Sequence, residues 1–401
     1  MLKQEGTHMK SILIGSTALL AAATIAPSAQ ASEPVKLQLG GYMEYWMAAA
    51  DQDKDSNLNV NSFDIQGESE IWFVGKTTLD NGMTIGVQVE LEAGSNNNGD
   101  DTIDESYLFL EGKYGKAIVG AEDTAAYLMS VSAPSASDLG GAWVTSEGDQ
   151  IQYMPTNGVI GLDVIPNTLS DENKLTYFTP KFYGVQAGVS YVPSNNPGGD
   201  DTWAGVSGTV VVPAANSESV AKARNFDEAW AFGLAYDADV AGVGVKASAH
   251  YVTIDMGGTN AGRVSQGFTD GTIREFGGGL NLSYQGFTVG GGVKRKIAAG
   301  STQLSPTDGF AWNAGVMYAE GPYKVSLNYA SSKTQGVDRS GGPLDGHDEI
   351  DVIRLGGAYA LGPGVNLFGE VGYTNAQDET SDKSKGNEGA YGGVVGLHLN
   401  F

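Results

Sequence analysis

Apolar and polar residues alternate one by one along most of this chain, and this period of two limits the possible folds more than any other feature. In residues 35–47 the odd positions are mainly Val, Leu, Met and Tyr, whereas the even positions include Lys36, Gln38 and Glu44. Residues 83–92 repeat the alternation without a break. Because successive side chains of a β-strand point to opposite faces, the pattern predicts strands with one apolar face.

The connections between these segments alternate in length. We predict short turns at 79–82, 113–115, 183–184, 237–242, 285–286, 320–322 and 361–364. We predict long polar connections at 51–61, 94–101, 123–173, 193–225, 255–272, 298–309, 332–348 and 375–389. Seven turns and eight long connections join sixteen strands. Short turns at one end and long loops at the other are typical of an outer-membrane barrel, so the predicted fold is all-β: a 16-stranded antiparallel transmembrane β-barrel with short periplasmic turns and long extracellular loops.

Strand lengths and aromatic residues agree with this interpretation. Residues 287–296, 323–332 and 365–375 approach the roughly 10 residues that a tilted spanning strand requires. Tyrosines with the parity of the apolar face lie near strand ends, as expected for aromatic girdles: Tyr191, Tyr236, Tyr251, Tyr284, Tyr318, Tyr323, Tyr329, Tyr359 and Tyr373. A soluble β-sandwich also has one apolar face, but its connections lack the regular alternation of long and short.

The polar face of the strands is expected to line a lumen. The candidate wall residues are Glu68, Glu70, Glu90, Lys294, Lys296 and Arg354, and all of them except Lys296 are placed nearest mid-height or the outer half. The same parity holds for Glu44, Glu92, Glu370, Lys76 and Lys246. Rings of carboxylates favour cations and rings of Lys or Arg favour anions. The longest connection, 123–173, is acidic and almost free of basic residues, so the sum favours a weakly cation-selective lumen.

Composition excludes several classes of function. The chain of 401 residues has no Cys, which excludes disulfides, thiolate zinc sites and a cysteine nucleophile. Its formal net charge of -24 argues against a nucleic-acid partner, because neutralising phosphates requires clustered Lys and Arg.

The first residues predict a secretory signal peptide at 1–31. An apolar run follows Lys10, and Ala29-Gln30-Ala31 places small residues at the two positions that a signal peptidase reads. We expect cleavage after Ala31 and initiation at Met9, which leaves 32–401 as the barrel domain. No stretch of about 18 apolar residues follows, so a mature protein in the outer membrane of a Gram-negative bacterium is expected to be there as a barrel.

An acidic run formed by Asp51, Asp53 and Asp55 has the opening spacing of a calcium-binding loop. An EF-hand would next require Gly and Glu where Ser56 and Ser62 stand, so that interpretation fails. A looser calcium site stays open as an alternative, and it would suit a surface that faces anionic lipopolysaccharide. We expect no other cofactor.

The histidines offer little support for an enzyme. His250 and His398 have lumen parity and no nearby Ser or carboxylate motif in the sequence. His347 lies in an acidic cluster at 345–349, which could hold a metal or, by distant analogy, belong to an Asp/His protease site; a solvated loop is the simpler interpretation. No Gly-Xaa-Ser-Xaa-Gly elbow, phosphate loop or His-Glu-Xaa-Xaa-His helix is present. We therefore predict no enzyme, with an outer-membrane barrel enzyme as the minor alternative.

Three stretches carry a family resemblance. The last strand has one apolar face and ends in Phe401, and residues 105–115 and 175–191 read GluSerTyrLeuPheLeuGluGlyLysTyrGly and LeuThrTyrPheThrProLysPheTyrGlyValGlnAlaGlyValSerTyr. Together with the signal peptide, these residues resemble the Gram-negative general diffusion porin family, and 175–191 is similar to the hairpin that follows its constriction loop. The resemblance covers the whole mature chain.

The resemblance implies a homotrimer of sixteen-stranded barrels in which the third loop, here 123–173, folds inward as a constriction. Its candidate constriction residues are Asp123, Asp138, Glu147, Asp149 and Asp163. The family also implies a basic wall opposite, but Glu68, Glu70 and Glu90 stand where enterobacterial porins place arginines, and the loop lacks a Pro-Glu-Phe-Gly-Gly motif.

The predicted function is passive diffusion of small hydrophilic solutes and cations across the outer membrane, with membrane lipid and lipopolysaccharide as surroundings. The alternative is a solute-selective channel for sugars or phosphate. The aromatic residues that could form a ladder in such a channel are Trp46, Trp72, Trp143 and Phe368.

Overall fold

The computed structural model describes residues 34–52, 62–93, 103–137, 162–193, 228–255, 272–299, 308–337, 343–377 and 388–401. These residues form one closed barrel of sixteen antiparallel strands. Each strand pairs with its neighbours in the chain, and the first strand closes the barrel by pairing with the last. The predicted fold class is confirmed.

The strands are β1 Lys36–Gln52, β2 Phe63–Thr78, β3 Thr84–Glu92, β4 Ser106–Gly112, β5 Gly115–Ala121, β6 Asn173–Phe178, β7 Val185–Val192, β8 Glu228–Val240, β9 Val243–Asp255, β10 Thr272–Tyr284, β11 Phe287–Ala299, β12 Gly309–Glu320, β13 Tyr323–Val337, β14 Pro343–Gly362, β15 Val365–Gln377 and β16 Glu388–Asn400. A single helical turn, α1, spans Ala125–Leu128 between β5 and β6. No helix among the described residues is long and apolar enough to cross a membrane.

The barrel exposes its apolar face and covers its polar one. In β13, Leu327 is 49% exposed, whereas its neighbours Ser326 and Asn328 are 2% and 1% exposed. In β1, Leu37 is 70% exposed and Glu44 is 6% exposed. Apolar side chains outside and polar side chains inside are the arrangement of a barrel surrounded by hydrocarbon.

Aromatic side chains form two rows at opposite ends of the outer face. Near the turns, Phe287 and Tyr318 have ring centroids 4.5 Å apart, and Tyr323 and Tyr359 are 4.8 Å apart. The row near the long connections contains the pairs Tyr191–Trp230, Trp312–Tyr329 and Tyr373–Tyr391. Amphipathic rings at these two heights suit the two membrane–water interfaces.

The short turns explain how the strands return so tightly. At Gln285 and Gly286, φ is 47° and 84°, and at Tyr183 and Gly184 it is 49° and 85°. Two successive residues with positive φ form the turn type whose twist matches paired strands. The predicted turns at 183–184 and 285–286 are thus two-residue hairpin loops.

The predicted long connection at 332–348 is wrong. β13 runs to Val337 and β14 starts at Pro343, with Lys333 opposite Glu349 at an ion-pair distance of 3.6 Å. Strands that continue beyond the apolar band carry polar residues on both faces, so the composition of these strand ends resembles that of a loop. His347 consequently lies in a strand, where it pairs with Gln335, and not in a loop.

The buried apolar core lies inside the barrel rather than between two layers. Ala126 and Leu169, which precede and follow the long break between β5 and β6, pack against Val192, Val252 and Ile273 of the wall. A second cluster joins Ala125 and Met129 to Phe178. We call the described residues 122–137 and 162–172 the inner segment.

Candidate functional site: the barrel interior

The first part of the inner segment, residues 122–137, runs along the inner face of the wall, where short polar side chains hydrogen-bond to its backbone. Ser190 Oγ accepts from the backbone N–H of Ala125 at 2.8 Å, and Ser248 Oγ accepts from that of Val131 at 2.8 Å. Further round the barrel, Asn313 and Ser326 accept from the backbone N–H groups of Ala133 (3.1 Å) and Ala136 (2.9 Å). Asn281 and Asn328 instead donate to the backbone carbonyl oxygens of Ser132 (3.0 Å) and Pro134 (2.7 Å). These bonds satisfy backbone groups of a segment that has no strand partner of its own.

Glycines of the wall make room for this backbone. A Cβ at Gly279 would lie 1.8 Å from the carbonyl oxygen of Val131, and a Cβ at Gly233 would lie 2.4 Å from that of Ala125. No side chain fits at such distances, so glycine is required at these two positions of the wall.

The second part of the inner segment is attached by charged side chains. Lys294 Nζ donates to the carbonyl oxygen of Ile165 at 2.6 Å, and Lys296 Nζ donates to Thr168 Oγ1 at 3.4 Å. Thr168 in turn donates to a carboxylate oxygen of Glu275, which is fully buried and lies 3.5 Å from Lys296 Nζ. The wall lysines predicted at 294 and 296 therefore face inward, but the inner segment covers them.

Arg354 is also paired, with a wall carboxylate that the inner segment contacts. Its Nη1 donates to Glu370 Oε1 at 3.0 Å, and the other carboxylate oxygen of Glu370 accepts from Ser137 Oγ at 2.5 Å. Both charged residues are less than a tenth exposed. Arg354 thus neutralises a wall carboxylate and does not stand alone as a basic surface.

The wall of β1 to β3 carries most of the predicted acidic side chains. Tyr42 Oη lies 2.8 Å from Glu68 Oε1 and 3.0 Å from Glu70 Oε1, and Trp72 Nε1 donates to Glu70 Oε2 at 2.9 Å. Glu90 is buried and accepts from Gln88. The structure therefore gathers Glu68, Glu70 and Glu90 on one side of the interior.

Two further carboxyl groups extend this acidic surface at its loop end, just outside the strands. Burial, together with the negative charges of Glu122 and Glu90, raises the pKa of Glu105 to about 10. Burial also raises the pKa of Glu122, although a hydrogen bond with Tyr107 opposes the shift. At neutral pH Glu105 is protonated, so the surface carries fewer charges than its count of acids suggests.

The predicted constriction residues fall in three groups. Asp123 is half-buried at the start of the inner segment, next to Thr124, whose side chain caps α1. Asp163 is 4% exposed, deep in the second part. Asp138, Glu147 and Asp149 lie outside the described residues.

The predicted calcium site can be placed only in part. Asp51 is exposed at the end of β1, whereas Asp53 and Asp55 lie outside the described residues, as does the predicted signal peptide 1–31 with Met9. Elsewhere, Glu70, Glu92 and Asp104 bring carboxylate oxygens within 4.8 Å of one another. Hard divalent cations prefer such oxygen ligands.

Both lumen-parity histidines have partners that are distant in the sequence. His398 Nδ1 lies 2.7 Å from Glu44 Oε2 and its ring stacks on Tyr42. His250 Nδ1 lies 3.3 Å from Ser130 Oγ, but that hydroxyl donates to the Ala126 carbonyl oxygen at 2.7 Å. The sequence shows no motif for these partners, because both contacts join residues that are more than 100 positions apart.

The aromatic ladder considered from sequence divides into separate groups. Trp46 and Phe368 are buried together in one cluster, 1% and 3% exposed. Trp72 instead lies 6.1 Å from Tyr42 between centroids, beside the acidic wall, and Trp143 is outside the described part of the chain.

Three interior residues are absent from the sequence-based site candidates: Tyr42, Glu105 and Glu275. Glu275 has the same odd parity as Ile273, opposite to that of the exposed Phe276, so alternation could have placed it inside. Tyr42 has the even parity of Glu44, so alternation could have placed it inside as well, whereas Glu105 precedes its strand and no local signal indicated its position.

A family model described as Gram-negative porin matches residues 16–379 of the chain. The chain belongs to the Gram-negative porin family. Porins of this fold form diffusion channels, so family and barrel together indicate an outer-membrane diffusion channel.

Curated relatives of this porin are uncharacterized proteins. One from Rickettsia felis is 25% identical over 344 residues, which cover 74% of this chain and 76% of the relative. One from Rickettsia typhi is 22% identical over 421 residues, which cover 91% and 93%.

Solved structures share the barrel of this porin. An anion-selective porin from Comamonas acidovorans superposes with a TM-score of 0.59 at 15% identity, covering 92% of this chain and 100% of that one. The trimer form of OmpT from Vibrio cholerae gives 0.55 at 12% identity, with 92% and 100% coverage. At these identities the likeness shows the fold alone.

Proposed function

We propose that this porin is a passive, weakly cation-selective channel for small hydrophilic solutes and ions. The observation that carries the proposal is the carboxylate surface on β1 to β3, where Glu68 and Glu70 share the Tyr42 hydroxyl and Glu90 lies alongside. The candidate basic residues across the interior are covered or paired, since Lys296 faces Glu275 and Arg354 faces Glu370.

The mechanism is sieving with an electrostatic bias. Polar side chains of the interior replace part of the hydration of a passing solute, and the carboxylates of β1 to β3 raise the local concentration of cations. No chemical step or energy input is involved, so the channel needs no cofactor and we propose no enzymatic activity. His250 supports this proposal, because it is 6% exposed and its Ser130 neighbour already donates to Ala126.

We propose further that the third loop, 123–173, narrows this channel. The hydrogen bonds of Ala125, Val131 and Leu162 to serines of the wall support that role. Neutralising Glu147, Asp149 and Asp163 together is expected to lower cation preference. An unchanged reversal potential would remove these three acids from the constriction.

The main test measures ion selectivity in a planar bilayer. The refolded protein is reconstituted across a KCl gradient, and the reversal potential is compared between the wild type and a Glu68→Gln/Glu70→Gln variant. Glutamine keeps a hydrogen-bond partner for Tyr42, so the fold is preserved while two charges are removed. The cation preference is expected to fall.

Glu320→Gln is the matched control, because Glu320 also accepts from a tyrosine, Tyr318, at 2.6 Å, but with the parity of the outer face. It is expected to leave the reversal potential unchanged. A wild-type protein without conductance would overturn the channel itself, and equal selectivity in all three proteins would overturn only the assignment to this wall.

A second candidate function is a channel selective for sugars. It is favoured because the rings of Tyr42, Trp72 and His398 lie beside Glu68 and Glu70. Aromatic rings can stack on the apolar face of a sugar, and carboxylates can accept hydrogen bonds from its hydroxyl groups. Saturable block of conductance by a neutral sugar, lost in Trp72→Ala, would support it. Block that does not saturate would support the general channel.

We propose a homotrimer in the outer membrane, in contact with lipid and lipopolysaccharide. The apolar outer face supports the location, and the solved trimer form of OmpT provides a precedent for assembly of the fold. Light scattering of the refolded protein in detergent, corrected for bound detergent, tests the number of chains.

A further inference from the structure

Four acidic side chains form two opposed pairs on the lumen face of β1 to β3. The register places Glu44 of β1 directly opposite Glu68 of β2, and Glu70 of β2 directly opposite Glu92 of β3. Like charges at opposed positions of neighbouring strands repel each other. The carboxyl groups of this wall therefore need hydrogen-bond donors if they are to stay ionised and close together.

Tyr42 is a donor that lies among these groups. It is opposite Glu70 in the register and two positions from Glu44 on the same face of β1. Its Oη lies 2.8 Å from Glu68 Oε1 and 3.0 Å from Glu70 Oε1. The two carboxylate oxygens can be no further apart than the sum of these distances, and at such a separation two negative charges disfavour each other's ionisation.

The hydroxyl group can donate to only one of these carboxylates at a time, because a phenol has a single proton. Glu70 has a second donor, since Trp72 Nε1 donates to its Oε2 at 2.9 Å. Donation to an ionised carboxylate stabilises its charged form. The Tyr42 hydroxyl and the Trp72 indole together therefore favour the ionised forms of Glu68 and Glu70.

Neighbouring rings hold the Tyr42 hydroxyl in this position. The Tyr42 ring stacks on His398 with centroids 5.5 Å apart and an interplanar angle of 14°, and its centroid lies 6.1 Å from that of Trp72. His398 is held in turn by Glu44, with 2.7 Å between Nδ1 and Oε2. Because these contacts are made by the ring, removing only the hydroxyl is expected to leave the packing in place.

Titratable groups on the neighbouring strands oppose the effect of the hydroxyl. Carboxylate oxygens of Glu70, Glu92 and Asp104 lie within 4.8 Å of one another. The titratable groups that face Tyr42, Glu68 and Glu70 are Glu44 on β1, His398 on β16, Glu90 and Glu92 on β3, and Asp104 before β4. All of these except the histidine are acids, and their negative charge favours protonation of Glu68 and Glu70.

We infer that Tyr42 is a positioning residue that determines the ion selectivity of the channel. Its hydroxyl keeps Glu68 and Glu70 ionised side by side, so that both charges act on passing cations. The inference rests on the proposed cation-selective channel, and it adds a neutral residue on which the acidic wall depends.

The test compares the pH dependence of the reversal potential of the wild type and Tyr42→Phe in planar bilayers across a KCl gradient. The substitution removes no charge at neutral pH and keeps the ring. Acidification is expected to reduce the cation preference of both proteins. The midpoint of this loss is expected about one pH unit higher in Tyr42→Phe, because an ionised carboxylate has lost a donor. A residue that only supports the fold would change conductance or stability and leave the midpoint unchanged.

Tyr318→Phe is the matched control, since Tyr318 Oη donates to Glu320 Oε2 at 2.6 Å on the outer face. Its midpoint is expected to equal that of the wild type. In a Glu68→Gln/Glu70→Gln background, Tyr42→Phe is expected to cause no further shift. An unchanged midpoint in Tyr42→Phe, an equal shift in Tyr318→Phe, or an equal shift without the two carboxyl groups would each overturn the inference.

Infrared spectroscopy separates this inference from the proposed channel function, because protonated carboxyl groups and carboxylates absorb at different frequencies. A pH titration of the refolded protein in detergent, taken as the difference from Glu68→Gln/Glu70→Gln, follows the ionisation of these two groups. Its midpoint is also expected to rise by about one pH unit in Tyr42→Phe.

The two measurements together assign a failure to one proposal or the other. A channel whose selectivity requires Glu68 and Glu70, but whose infrared midpoint is the same in Tyr42→Phe, would overturn this inference alone. An infrared shift in a protein whose selectivity does not require these glutamates would instead overturn the proposed role of the acidic wall and keep the effect of the hydroxyl on ionisation.

Discussion

The two sides of the inner wall use polar residues for different purposes. On β1 to β3, Glu68, Glu70 and Lys76 are half-buried or exposed and face the lumen. On β9 to β13, short side chains such as Ser248 and Asn313 hold the backbone of the inner segment. We propose that one side influences passing ions and that the other, through the inner segment, limits the width of the passage.

Charge has opposite consequences on the two sides. Exposed charges on β1 to β3 keep their hydration and act on the lumen, so their removal changes selectivity more than stability. Buried charges such as Glu275 and Lys294 have lost water and depend on each other, so their removal changes stability more than selectivity. Parity alone does not distinguish the two cases.

The largest effect is expected from Glu275→Gln. It leaves Lys294 and Lys296 buried without their counter-charge, which costs about 3–5 kcal/mol for a broken buried pair. Urea unfolding of the refolded barrel measures the loss. Glu349→Gln, which breaks an exposed pair with Lys333, is the control and should cost about 1 kcal/mol or less.

The next effect is expected from Gly279→Ala. Its Cβ would lie 1.8 Å from the Val131 carbonyl oxygen, so the inner segment must move away, at a cost of about 1–3 kcal/mol. Single-channel conductance should fall, because a segment pushed away from the wall moves further into the lumen. Gly357→Ala, whose Cβ would have its nearest neighbour at 3.6 Å, should leave conductance as it is; a similar fall there would count against the attachment.

A smaller effect is expected from Ser248→Ala. It removes the acceptor for the Val131 amide at the cost of one hydrogen bond, about 1 kcal/mol. Limited proteolysis should cut the inner segment faster than in the wild type. Equal cleavage rates would mean that the remaining contacts suffice.

The smallest effect at neutral pH is expected from Glu105→Gln. With its pKa raised from 4.5 to about 10, Glu105 is already protonated, so ion selectivity at pH 7 should not change. The folded state holds a proton that the unfolded state releases above pH 4.5, so the stability from this group is full below that pH and is lost as pH rises towards 10.

Urea unfolding measured across this range checks the sign. The free energy of unfolding of the wild type should fall with rising pH more steeply than that of Glu105→Gln. Parallel curves would place the carboxyl group in contact with water.

The sequence was sufficient to predict the barrel wall but not the contacts of the inner segment that packs against it. Alternation depends on local geometry, so it correctly assigned Leu327 to the outside and Glu44 to the inside. It failed for the extended ends of β13 and β14, where polar residues such as Ser332 and Lys333 occupy both faces. It also could not reveal that Ser130 meets His250, because this contact joins residues 120 positions apart.

The charge balance of the interior was the least predictable part. Counting acids treats Glu105 and Glu68 alike, although burial keeps the first protonated. Counting bases treats Lys294 and Lys76 alike, although one is fully buried and the other exposed. These differences arise from packing between distant segments, which the spacing of residues does not encode.

The hydrogen bonds that attach the inner segment to the wall also constrain the order of the folding steps. Ser137 bonds to Glu370, 233 residues later in the chain, and Pro134 and Ala136 bond to β13. None of these bonds can form before the late strands have joined the wall, and contacts across such separations form slowly. The barrel is therefore expected to close first and narrow afterwards, so that a newly assembled copy passes through a short-lived, wider state.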